Sequence, residues 1–177
     1  MFSRIDFFKI IKAHLITLRS LNQTSELIYW KDFLLFYFIP STISLILIYF
    51  DISIKSQVPN LIAAISILGG FLFNLLAIIY NSMSNLNNDI DNSRTGNTLI
   101  KRKFIKEIHS NISYNILISI FLLVFLIIYN FEIKFDFLYL TQGLNRTIEF
   151  ITTFLLIHFF LTLLMVLNRI FILLDKG

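Results

Sequence analysis

Apolar and polar residues fall in long blocks along this chain. Four stretches are apolar and uncharged for about the 17 to 25 residues that a helix needs to cross a bilayer core: Phe33 to Phe50, Leu61 to Tyr80, Ile112 to Tyr129, and Phe150 to Leu167. Each predicts a membrane-spanning helix. Tyr29 and Trp30 before the first, Tyr49 at its end, Tyr80 and Tyr129 sit where amphipathic rings favour the membrane–water interface. Pro40 with Ser41, Thr42 and Ser44 predicts a kink whose freed backbone groups are met by hydroxyls. Ahead of the spans, Phe2 to Leu21 has helical length and no Gly or Pro. Arg4, Lys12 and Arg19 share about an 80° sector of that helix, but Phe8 and Leu15 lie in it too, so the helix calls for protein or lipid around most of its surface. Asn22 to Ser25 reads as a break, with Ser25 as a cap. Asn81 to Asn97 reads as a polar loop, after which Thr98 caps a helix running to Tyr129 and about 48 Å long. Residues 131 to 140, FEIKFDFLYL, alternate apolar and charged at first, and fit a strand, a hairpin arm or a loop on the headgroups.

One polar pattern cuts across the second span. Ser66, Gly70, Asn74, Ala77, Asn81, Asn85 and Asn88 recur at intervals of three and four and therefore share one helix face. Lipid cannot hydrogen-bond a carboxamide, so that face must meet protein or water. Two readings follow. Small residues and amides serve tight helix packing, or copies of this helix line a water-filled path with Asn74 as its deepest polar ring and Asn81, Asn85 and Asn88 as its wider mouth. Four short spans hardly enclose a solvated pore, so a path requires a ring of copies. His158, Thr162 and Arg169 share a face of the fourth span, where His158 is expected to bond between helices.

Composition supports the membrane reading: 56% of the 177 residues are hydrophobic and mean hydropathy is +0.77. There is no Cys, which excludes disulfides, thiolate metal sites and thiol catalysis. The formal charge of +4 is modest but unevenly distributed. Of the 15 Lys and Arg residues, only Lys55, Lys134 and Arg146 fall on one side of the expected spans, so the positive-inside rule places both termini in the cytoplasm and the chain in an inner membrane. Lys101, Arg102, Lys103 and Lys106 start a helix, where cations oppose the macrodipole unless an anion is bound. They either set topology and attract anionic lipid or hold a phosphate-bearing ligand together with Arg4, Lys12 and Arg19. His14, His109 and His158 form no metal-ligand pattern, and no phosphate-cradling Gly loop or nucleophile elbow is present. The expectation is a protein without catalytic residues, metal or cofactor.

Four spans, a basic N-terminal segment, no catalytic chemistry and a Gly-Gly-Phe-Leu-Phe-Asn second span together resemble the small membrane effectors of bacterial anti-phage operons, most nearly the Hailong-type channel effectors. The resemblance implies a tetrameric channel beside an operon-encoded nucleotide-handling enzyme. It implies a channel held silent by single-stranded DNA oligomers at a basic N-terminal mouth, with Arg4, Lys9, Lys12 and Arg19 in that role, and opening that depolarises the membrane. The sequence thus predicts an all-α, four-helix integral membrane protomer in one membrane domain, with an N-terminal cytoplasmic or interfacial helix inside a basic cytoplasmic segment of residues 1–32, assembled as a homo-oligomeric ring. The competing expectation is a non-catalytic scaffold or accessory subunit of a transporter.

Overall fold

The computed structural model describes residues 6–18, 30–90, 96–131 and 138–175, and among them every regular element is a helix. Helix α1 (Phe7–Thr17) starts where the Asp6 carboxylate accepts from the Lys9 amide at 3.1 Å, satisfying one of the free N–H groups of the first turn. Helix α2 (Trp30–Phe33), a π-helical turn over Leu34–Phe38, and α3 (Ile39–Tyr49) follow without interruption. Three long helices complete the chain: α4 (Val58–Ile90), α5 (Gly96–Asn130) and α6 (Leu138–Asp175). Segments Lys55–Asn85, Lys101–Asn130 and Thr141–Leu173 are long and apolar enough to cross a membrane, as a membrane protein requires. The first expected span gives only a shorter apolar helix, Leu34–Tyr49.

Pro40 lies inside this helical run and perturbs it locally without ending it. It has no N–H to return to the Phe36 carbonyl four residues back, and the backbone widens into the π turn immediately before it. Ser41 and Thr42 donate to the Tyr37 and Phe38 carbonyls at 2.7 and 2.9 Å. The Phe36 carbonyl itself is met from α6, by His158 Nδ1 at 2.9 Å, and Ser44 is buried with no hydrogen-bond partner. Hydroxyls thus meet two carbonyls around the proline, as expected, while an imidazole on another helix serves the Phe36 carbonyl that the missing N–H leaves free. Helix α3 ends in a Schellman motif in which Ile52 N–H donates to the Leu47 carbonyl at 2.9 Å and Asp51 N–H to Ile48 at 3.2 Å. Asp51 takes the left-handed position usually held by Gly, at φ 56°.

Other boundaries also move. Helix α4 continues through Asn81 to Ile90, because residues 81–90 contain no Gly or Pro and Met83 still packs against the core. The expected loop from Asn81 is thus mostly helix. Helix α5 begins at Gly96, two residues before the expected Thr98 cap, and α6 begins well before Phe150. Of the alternating segment, residues 138–140 open α6, while 132–137 lie outside the described residues, as do the expected break and cap at Asn22 to Ser25.

Helix α5 is the centre of the bundle, with α4, α6 and α1 packed on it and α3 packed on α6. Ile65, Leu72 and Ile79 of α4 meet Ile105, Ile108, Ile112, Leu122 and Leu126 of α5, and Phe159 and Val166 of α6 join the same cluster. Among membrane-spanning helices such contacts stabilise by close van der Waals packing and not by removing apolar surface from water. Helix α1 runs antiparallel to α5: the Phe7 ring meets Phe121 edge-on at 6.0 Å, and His14 bonds Asn111. Phe121 lies about 13 Å beyond Ile112 along the helix, halfway through the apolar stretch. Helix α1 thus packs along α5, beside its apolar stretch.

Candidate functional site

The amide face of α4 points away from the bundle. Ser66, Gly70, Asn74, Ala77, Asn81 and Asn85 are exposed, while Ile65, Leu72 and Ile79 on the opposite side are buried. Of the paired glycines, Gly69 is the packing residue: a Cβ there would come 3.6 Å from Ser119 Oγ, whereas one at Gly70 meets nothing within 4 Å. The Ser66 hydroxyl is spent on the Ile62 carbonyl at 2.8 Å. Among the described residues, Asn74, Asn81 and Asn85 find no hydrogen-bond partner within the chain. The Asn88 side chain lies outside the described ones.

The basic residues expected to share one ligand are separated. Lys101, Arg102, Lys103 and Lys106 are exposed near the start of α5. Lys9 and Lys12 are also exposed, but on α1 beside the apolar stretch of α5, roughly 20 Å away along the helix axis. Arg4 and Arg19 lie outside the described residues. The described structure thus does not bring the two groups into one site, because hydrogen bonds tie α1 to α5 at a fixed depth.

Those bonds belong to a polar network inside the protomer. Asn111 Oδ1 accepts from Thr17 at 2.6 Å and lies 2.9 Å from His14 Nδ1, and the His14 ring stacks on Tyr114 at 3.8 Å. The Tyr114 hydroxyl lies 2.8 Å from His158 Nε2. A carbonyl only accepts, so the bond to Phe36 assigns the proton to His158 Nδ1, and Nε2 accepts from Tyr114. One turn on, Thr162 bonds Asn115 at 2.8 Å. At the end of α1, Arg169 donates to the Thr17 carbonyl at 2.6 Å and to Glu107 at 2.8 Å, placing a cation where the α1 dipole is negative. The sequence reading found His158, Thr162 and Arg169 but missed their partners. Glu107, Asn111, Tyr114 and Asn115 also recur at helical spacing, a signal that was available on α5.

At the opposite end, Arg146 meets Asp51 at 2.6 Å and Glu149 at 3.4 Å, and Tyr129 donates to Glu149 at 3.0 Å. These residues line an open cleft of about 670 Å³. Among the described residues no group of three or more His, Asp or Glu is placed to hold a metal ion. Comparison of the chain with protein-family models, with curated proteins and with solved structures finds no match.

Proposed function

We propose that this protein is a ring-forming ion channel of the bacterial inner membrane, four-span in topology with both termini cytoplasmic. The amide face of α4 meets water and neighbouring copies. The observation that carries this reading is the placement of Asn74, Asn81 and Asn85: outward, without hydrogen-bond partners among the described residues, on a helix whose opposite side carries the buried Ile65, Leu72 and Ile79. Hydrocarbon offers a carboxamide nothing, whereas an uncharged amide ring solvates an ion without trapping it. A cytoplasmic anion gates the channel at the exposed cluster Lys101, Arg102, Lys103 and Lys106 on the early turns of α5. The resemblance to anti-phage effectors favours a single-stranded DNA oligomer as that anion and membrane depolarisation as the outcome, with tetramers as the assembly.

Ion flux from liposomes tests the pore directly. Asn74→Leu is expected to reduce flux severely while leaving the protein folded; unchanged flux would reduce Asn74 to a packing residue. Mass in detergent separates this reading from the scaffold or accessory-subunit alternative, because a stable homo-oligomer is expected and a monomer would assign the amide face to a different protein.

A further inference from the structure

The exposed face of α1 presents a harder electrostatic problem than the amide face. Lys9 and Lys12 project with Phe8 and Ile16 from the side opposite His14, Thr17 and Leu18, which are buried. Phe7 is fixed at Phe121 and His14 at Asn111 and Tyr114, so at 1.5 Å per residue Lys9 stands at the level of Ile118 and Ser119, and Lys12 near Asn115. Both levels fall within the apolar stretch of α5. An ammonium group at the centre of a span is costly in lipid, and the usual relief is to reach back to the headgroups. Here the geometry opposes that relief. Side chains tilt toward the N-terminus of their helix, and the N-terminus of α1 points into the middle of the stretch. Asp6 lies at the same end and spends one oxygen on the Lys9 amide, leaving two ammonium groups against one carboxylate on the described face.

The register of α4 supplies the second observation. Gly69 is fixed at Ser119, and α4 is antiparallel to α5, so Gly70 and Asn74 stand at about the levels of Ile118 and Tyr114. Lys9 therefore shares its depth with Gly70, and Lys12 with Asn74. The two helices occupy different flanks of α5: Asn111, Tyr114 and Phe121 face α1, while Ser119 lies about 120° around from that set. A cyclic ring in which the α1 face of one protomer meets the α4 face of the next would bring these polar groups together at one depth.

We infer that α1 forms one wall of the water path, opposite the amide stripe of a neighbouring copy, and that Lys9 and Lys12 make the path select anions. This rests on the channel reading above. Ammonium and amide N–H groups at one depth replace the water around a small anion, while a cation meets repulsion from both lysines.

Chloride against potassium permeability tests it in reconstituted protein under a KCl gradient. Wild type is expected to reverse near the chloride equilibrium potential, and the Lys9→Glu, Lys12→Glu double variant to move toward that of potassium. Because the chain has no Cys, Lys9→Cys also reports directly. An anionic water-soluble methanethiosulfonate is expected to modify it roughly tenfold faster than the cationic analogue. Val124→Cys, on the exposed apolar face of α5, is expected to stay unmodified. A conducting but cation-selective wild type overturns the inference and leaves the channel standing, as does a Lys9→Cys that resists both reagents. No conductance in wild type overturns the channel reading itself, and the anion path with it.

Discussion

Two sets of amides lie on the long apolar helices of this protein, and their surroundings differ. Asn111 and Asn115 on α5 are buried and each is hydrogen-bonded to a threonine of another helix, Thr17 or Thr162. Asn74, Asn81 and Asn85 on α4 face out of the protomer and have no hydrogen-bond partner among the described residues. The same functional group thus serves two purposes. Inside, it fixes which helices meet and at what height; outside, it leaves a demand for a polar partner that only water or another molecule can meet. Changes to the first set are expected to disturb folding, and changes to the second to disturb assembly and flux.

The largest effect is expected from Arg169→Met. It strips Glu107 of its counterion and the Thr17 carbonyl of its donor, and both charged side chains are only 16% exposed. A loss of about 3 kcal/mol follows from breaking a buried pair, read as a fall in the unfolding midpoint in detergent. The Glu107→Met, Arg169→Met double variant should recover most of it, and failure to recover would assign the effect to the α1 carbonyl. His158→Phe is expected to cost about 2 kcal/mol by leaving Tyr114 and the Phe36 carbonyl unpaired. In a Pro40→Ala background the penalty should shrink, because alanine at that position supplies an N–H for the same carbonyl; equal penalties in the two backgrounds would contradict the link between proline and imidazole.

Substitutions on the outward side probe the same contrast from its other half. Asn74→Leu should leave the unfolding midpoint of the protomer nearly unchanged, since an interhelical amide contact is typically worth about 0.6 kcal/mol, while flux falls. Neutralising Lys101, Arg102, Lys103 and Lys106 should leave stability alone and flatten the salt dependence of single-strand binding, by roughly 0.7 in log–log slope for each phosphate no longer neutralised. Smallest of all, Asp51→Gly exchanges an exposed ion pair, whose side chains are 49% and 79% exposed, for an easier left-handed residue. Exposed pairs contribute little and glycine relieves little, so the two effects nearly cancel. A large shift in midpoint would show that the Arg146 cleft contributes to stability.

The long helices were legible because hydrophobic length is a local property of the chain. The amide stripe was legible for the same reason, as spacing on one helix. What the sequence hid was pairing between helices. Nothing local says that Phe36 takes its hydrogen bond from residue 158, or that His14 finds Asn111, and those contacts decide where α1 lies. The apolar residues of α1, visible in the sequence, account for its position beside α5. Residues 81–90 misled in a different way, because polar composition was read as loop although no helix breaker was present.

Whether the amide face meets water and its own copies is decided by oxidative cross-linking of Asn74→Cys in native membranes, with Ile127→Cys on the exposed apolar side of α5 as the control. Covalent dimers are expected when the first is combined with Lys12→Cys, which faces it from the neighbouring copy, and none from the control, together with modification of the residue 74 thiol by a water-soluble reagent. A residue 74 thiol that stays monomeric and is as inert as the control would show the amide face turned to lipid, and would contradict the channel.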